Sequence, residues 1–298
     1  MQYLRHIFPA LLLSVILAGV ASAQQAIAPS YVSVARDGYR LSKAEAEALE
    51  AHLTNSPDDL QARAKILGFY FRGPARSIYG PAAAIVSRRN HVLWLVSHHP
   101  SSELAALSET TIDMAGHSLA DKEGYDQLSA LWREQVGRHG ANVGVLRNAA
   151  KFFQLSDKAY SVSLLKQAQR LEPDNREWPA KIGYVYALAI LGVEMINQNG
   201  LPTLHNPDEA NGRFAIDARH ELGKSTDAAV IGVAGRTVGQ YGLMFTGMFR
   251  GSGHFAVDYA PIAEGLLVKA QELEPGNRQW SSDLEQFRKL RAEAGPAK

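Results

Sequence analysis

Leu164-Leu165-Lys166-Gln167-Ala168-Gln169-Arg170-Leu171-Glu172-Pro173-Asp174-Asn175-Arg176-Glu177-Trp178 returns later in the chain as Leu266-Leu267-Val268-Lys269-Ala270-Gln271-Glu272-Leu273-Glu274-Pro275-Gly276-Asn277-Arg278-Gln279-Trp280. The shared skeleton is Leu-Leu-x-x-Ala-Gln-x-Leu-Glu-Pro-x-Asn-Arg-x-Trp. Both copies have the same physical reading. An amphipathic helix ends at a proline that cannot continue it, and an asparagine-containing turn launches the next helix. A repeated helix–turn–helix start points to a helical array, because one such unit cannot bury its own apolar face.

Working outward, helical signals dominate. Ser42-Lys43-Ala44-Glu45 has the capping-box form, and Leu49 and Leu53 extend the apolar face behind it. Pro57-Asp58-Asp59 is expected to open a second helix, with proline in the first turn and the aspartates at the positive end of the dipole. Leu60, Ala64, Leu67, Gly68 and Phe71 recur at helical spacing up to Gly73-Pro74. A third helix is predicted from Pro81 to about His98. One or two short helices follow between Ser101 and Ser118, and another helix runs from Asp121 to His139. No Asn-Gly hairpin turn joins two alternating runs, so the expected fold class is all-α, a short superhelical array of helical hairpins.

The clearest unit, 142–175, resembles the tetratricopeptide repeat, a 34-residue helix–turn–helix. Ala149 and Phe152 match the small-then-aromatic pair of the first helix. Ser161, Leu165, Ala168 and Pro173 match the small, large, small and proline positions of the second. Ile182-Gly183 and Tyr186 begin a following unit, Leu67-Gly68 and Phe71 have the same form near the N-terminus, and Ala263, Leu267, Ala270 and Pro275 fit a third second-helix. The resemblance covers about half the chain. It implies that the first helix of each pair lines a concave groove, and it puts Leu146, Phe153, Glu177, Tyr184 and Leu188 on that groove. The organisation that results is a signal peptide at 1–23, an extended lead-in at 24–41, an irregular helical region at 42–140 and a repeat region at 141–292, with a Gly-rich insertion at about 239–254.

The address is read from the N-terminus. Arg5 and His6 precede an apolar run from Ile7 to Val20, and Ala21-Ser22-Ala23 offers the small residues of a cleavage site. This is the pattern of a secretory signal peptide, with a run too short to span a bilayer. The expected location is therefore periplasmic or secreted, without membrane insertion after cleavage. Removing residues 1–23 takes one arginine and leaves basic and acidic residues in balance. The formal net charge of +1 carries no footprint of nucleic-acid binding. The absence of cysteine excludes disulfides, thiolate zinc sites and a cysteine nucleophile.

No catalytic set assembles from the remaining chemistry-bearing residues. His91, His98 and His99 form the obvious metal candidate, but spacing supplies no third ligand of a usual zinc site, and a polar helix end is the preferred reading. His220-Glu221 is followed by Lys224 where a metalloprotease helix needs histidine. Ser252 lacks the strand-turn-helix setting of a hydrolase nucleophile. Gly232, Gly235, Gly239 and Gly242 lack the tighter order of a dinucleotide loop and are read as sites of close helix contact. The apolar stretch from Leu243 to Phe249 reads either as core or as a mobile contact loop. Trp94, Trp132, Trp178 and Trp280 read as packing residues. The expectation is an exported, non-enzymatic scaffold or adaptor that binds a protein or peptide, with no cofactor and no metal. A helical exported hydrolase of envelope polymers and a self-associating structural protein remain the alternatives.

Overall fold

The computed structural model describes residues 30–114, 118–193, 207–248 and 259–294. Among these, secondary structure is helical throughout, with no strand. The first half holds α1 (Tyr31–Gly38), α2 (Lys43–Asn55), α3 (Leu60–Arg72), α4 (Ala75–Tyr79), α5 (Pro81–His98), two 3-10 turns (Glu103–Ala106 and Ser108–Thr110) and α6 (Lys122–His139). The second half holds α7 (Val143–Phe153), α8 (Lys158–Leu171), α9 (Glu177–Ile190), α10 (Pro207–Ala210), α11 (Arg213–Lys224), α12 (Ala228–Met248), α13 (Ala260–Leu273) and α14 (Arg278–Ala294).

Local signals set most boundaries. Ser42 caps α2 reciprocally: its hydroxyl accepts from the Glu45 amide, while the Glu45 carboxylate accepts from the Ser42 amide at 2.8 Å. Helix α5 spans Pro81 to His98, as its proline start predicts. Helix α3 begins later than expected. Asp59 is its cap, accepting from the Gln61 and Ala62 amides at 3.1 and 2.9 Å, so Pro57 precedes the helix instead of opening it.

The lead-in expected to be extended contains α1, capped by Ser30. A helix this short is not stable alone, and tertiary contact holds it. Helix α1 lies on α3 with backbones nearly touching: a Cβ at Gly68 would fall 1.8 Å from the Ala35 carbonyl oxygen, and one at Gly38 1.9 Å from that of Lys65. The second correction concerns the Gly-rich insertion placed at 239–254. Helix α12 runs on to Met248. Its glycines are where neighbouring helices press in, as read from their spacing. A Cβ at Gly232 would lie 2.5 Å from the Trp280 ring, at Gly235 2.9 Å from Leu266, at Gly239 2.7 Å from Phe287 and at Gly242 2.8 Å from Tyr259. The side chains of Leu243 to Phe249, Ser252 and the signal segment lie outside what the structure describes.

The second half is a succession of packed pairs. Helix α7 packs on α8, α8 on α9, α9 beside α11, and α12 against α9 and α13, while α14 closes the end against α12 and α13. One hydrophobic cluster threads all of these and continues into the first half through Leu128, Trp132, Val92 and Leu95. A second, smaller cluster around Ile66 and Phe69 sits under α2 to α5. Trp132, Trp178 and Trp280 are buried, and Trp94 is partly so.

The two copies of the repeated segment fold into the same turn. The Ala168 carbonyl accepts from the Glu172 amide at the end of α8, and that of Ala270 from the Glu274 amide at the end of α13. Backbone angles at the two glutamates agree, φ −131 and ψ 73 against φ −130 and ψ 70. Each asparagine amide nitrogen donates to its glutamate at 2.9 Å, and each tryptophan indole donates to the same carboxylate oxygen at 3.1 Å. Each asparagine side-chain oxygen then accepts from a first-turn amide of the next helix, Glu177 at 3.0 Å or Gln279 at 3.1 Å.

Candidate functional site

Helices α7, α9 and α12 enclose a groove of about 480 Å³, with one wall from α8. Helix α7 and its C-cap contribute Arg147, Ala150, Lys151 and Gln154, and α9 contributes Glu177, Ala180, Lys181 and Tyr184. Both sets follow the i, i+3, i+4, i+7 spacing of a single helix face. Val233 and Arg236 come from α12, and Ser161 and Leu165 from α8. The floor is apolar where Ala150, Ala180, Leu165, Val185 and Val233 meet, and the rim is charged.

Of the five residues expected on a groove, Glu177 and Tyr184 sit on this wall. Leu146, Phe153 and Leu188 do not; they are core residues, 0%, 1% and 3% exposed. The reason lies in helix rotation. Leu146 and Phe153 belong to the strongly apolar face of α7, which is drawn into the protein. The groove face begins one residue on, at Arg147, and one residue is about 100° around a helix. Phe153 is closed off further by Phe152 and Tyr160, which pack edge-on to it, and by the Arg133 guanidinium 4.8 Å from its ring centre. The missed residues had a sequence signal: Arg147, Lys151 and Gln154 form the polar stripe opposite that apolar face.

Four cations, Arg147, Lys151, Lys181 and Arg236, line the groove against one carboxylate, Glu177. No run in the sequence reveals this, because the four come from three helices far apart in the chain. Lys181 pairs with Glu177 at 3.4 Å, one helical turn away, and Arg236 pairs with Asp283 at 3.6 Å. The Lys151 ammonium donates to the Ala106 carbonyl. Much of the Lys151 side chain is exposed, yet crowding of atoms around its ammonium, and then the charge of Lys181, hold its pKa below the ordinary lysine value. Arg147 makes no ion pair among the described residues.

The three histidines considered for a metal turn to different partners. The His91 ring sits between Arg63 and Glu50. Arg63 can only donate, so Nδ1 of His91 accepts from it at 3.1 Å and Nε2–H donates to Glu50 at 3.0 Å. Both ring nitrogens are thereby engaged by protein partners. His98 bonds the Trp94 carbonyl at 2.8 Å and stacks on its ring, and His99 reaches Asp58 at 2.9 Å. No three His, Asp or Glu among the described residues gather to hold a metal ion.

His91, Glu50 and Arg63 line a second, open cleft of about 650 Å³ in the first half, with Glu47, Tyr70 and Tyr79 among its other walls. Burial raises the Glu50 carboxyl, but hydrogen bonds from His91 and Tyr70 and the charge of Arg63 outweigh it and hold the pKa below the ordinary range. Glu47 pairs with Lys43 at 3.7 Å. A glycosidase-type pair needs one carboxyl held protonated near neutral pH, and Glu50 is poised the other way. The Arg63 guanidinium lies 3.5 Å from the Trp94 ring centre, and burial brings its pKa down to about 10. This network braces α2, α3 and α5 against one another.

No helix among the described residues is long and apolar enough to cross a membrane. The chain matches no known family model and no curated protein.

Proposed function

We propose that this protein is a tetratricopeptide-like scaffold that works outside the cytoplasm and holds a segment of another protein along α7, α9 and α12. The observation that carries the reading is the groove itself. It is large enough for several side chains, has an apolar floor and a polar rim, and is walled by the first helix of consecutive pairs. An extended segment or a helix lying there would gain burial from the floor and orientation from the rim. The 34-residue step between Arg147 and Lys181, which stand at matching points on α7 and α9, supports the repeat reading. Export is supported by the signal-type pattern of residues 1–23.

Site-specific photocrosslinking tests the binding role. A benzophenone side chain at Tyr184 is expected to capture a discrete protein species in cells. The same probe at Ile216, an exposed α11 residue outside the groove, is expected to capture none of it. An empty lane at Tyr184 beside a folded protein sinks the proposal. An adduct of twice the chain's own mass assigns the groove to self-association instead. N-terminal sequencing of the exported chain is expected to begin at Gln24.

A further inference from the structure

We infer that the occupant of this groove is an acidic peptide segment, one that presents carboxylates to the rim at intervals between apolar residues; the inference rests on the groove being the binding site. The charge of the groove is local. The whole chain is close to neutral, yet this wall carries four cations against a single carboxylate. Arg147 and Lys181 repeat the same charge at matching points of α7 and α9, which both line the groove, and Lys151 lies close enough to Lys181 to feel its charge. Cations placed together against fewer anions repel one another, so a partner that supplies carboxylates gains more here than on open surface. Asp283, paired to Arg236 at 3.6 Å, offsets part of this excess, and the charge of Glu109 attracts Lys151. Neither lies on the groove wall.

Glu177 has a specific place in this arrangement. Its carboxylate pairs with the Lys181 ammonium at 3.4 Å. An arriving carboxylate competes with it for the same ammonium, so the bound segment exchanges with a resident anion. The apolar floor sets the other half of the specificity. Ala150, Ala180, Leu165 and Val233 offer no hydrogen bonds from their side chains and favour aliphatic side chains between the acidic ones.

The test is fluorescence anisotropy on the purified protein with a short labelled peptide alternating Asp and Leu, its Asn-Leu counterpart, its Lys-Leu counterpart and a single-stranded oligonucleotide of matching charge. The Asp-Leu peptide is expected to bind tightest, and to weaken by about tenfold as salt rises from low to several hundred millimolar, because rim charges are screened. Arg147→Glu and Lys181→Glu are each expected to weaken it by about tenfold. Glu177→Gln is expected to tighten it several-fold, on the order of one lost competing ion pair, a gain that a folding defect cannot produce. Equal binding of the Asp-Leu and Asn-Leu peptides, insensitive to salt, overturns the acidic assignment while leaving the groove as a binding site. Tighter binding of the oligonucleotide overturns the assignment to a peptide. Failure of every peptide to bind, or binding untouched by the Arg147 and Lys181 variants, overturns the groove reading as well.

Discussion

The turn at Glu172 to Trp178 and the turn at Glu274 to Trp280 have the same hydrogen bonds but different surroundings. Within each, the glutamate binds its own asparagine and tryptophan at matching distances. Outside, they diverge. Trp178 is 1% exposed in the middle of the array, while Trp280 is 5% exposed and rests on α12 beside Gly232, near the closing helix. Glu274 also takes Arg176 of the other turn at 2.7 Å, and Glu172 has no cationic partner among the described residues. The repeated residues therefore carry a self-contained turn, and position in the array decides how strongly each copy is held.

Replacing the tryptophans separates these two contributions most strongly. Trp178→Ala is expected to destabilise by about 3–5 kcal/mol, the range for emptying a closed aromatic site, and to leave the Glu172 carboxylate one donor short. Trp280→Ala is expected to cost less, roughly 2–3 kcal/mol, because the end of the array can relax or admit water. Midpoints of urea unfolding for both variants decide this. Equal losses would mean that the turn, and not its place in the array, sets the tryptophan's worth.

The asparagines should respond alike, since every partner of each lies inside its own segment. Asn175→Ala and Asn277→Ala each remove a donor to a carboxylate and the cap of the following helix, with an expected loss of about 1–2 kcal/mol at either site. Thermal unfolding of the pair is the check. A difference above about 1 kcal/mol, the size of one hydrogen bond, would break the claim that the turn is self-contained.

Acid should then distinguish the copies. Hydrogen bonds from Asn277, Arg176 and Trp280 hold the Glu274 carboxyl down at about 2, below its ordinary value of 4.5. A depressed carboxyl stabilises the fold at pH values above its unfolded pKa, and that contribution is lost as pH falls from about 4.5 through about 2. Solvent screening at this partly exposed site, where the Arg176 partner is open to solvent, limits it to about 1 kcal/mol. Glu274→Gln is expected to flatten the acid limb of a stability-versus-pH curve between those values. An unchanged limb would show that other carboxylates account for it.

What could be read in the sequence follows the same division between local and distant causes. The Ser42 cap, the span of α5 and the hairpin of α7 and α8 were legible because their signals lie within a few residues of their effects. Helix α1 was not, because its stability comes from α3 pressing on it at Gly38 and Gly68. The run of α12 past Tyr241 was hidden by glycines that weaken helix propensity yet admit Tyr259 and Phe287 from neighbouring helices. At the groove, Glu177 and Tyr184 of α9 lie on the wall, while Leu188, one turn further along the same helix, turns into the core. Leu146 and Phe153 were misplaced by one residue of rotation on α7. The sign of the groove's charge needed α7, α9 and α12 side by side, which no single stretch of sequence displays.

The smallest expected effect tests the direct link that Arg176 makes between the two turns. Arg176 donates to Glu274 at 2.7 Å, with the arginine side chain 69% exposed and the glutamate 26%. Exposed pairs contribute roughly 0–1 kcal/mol, because solvent screens them and two long side chains must be ordered. A double-mutant cycle of Arg176→Met and Glu274→Gln isolates that coupling from the asparagine and tryptophan bonds that Glu274 keeps. The expected coupling is about 0.5 kcal/mol, falling toward zero in molar salt. A coupling well above 1 kcal/mol that survives salt would mean that the turns are energetically one unit. In that case Trp280→Ala should weaken the Glu172 turn too, and the larger differences expected for the tryptophans would shrink with it.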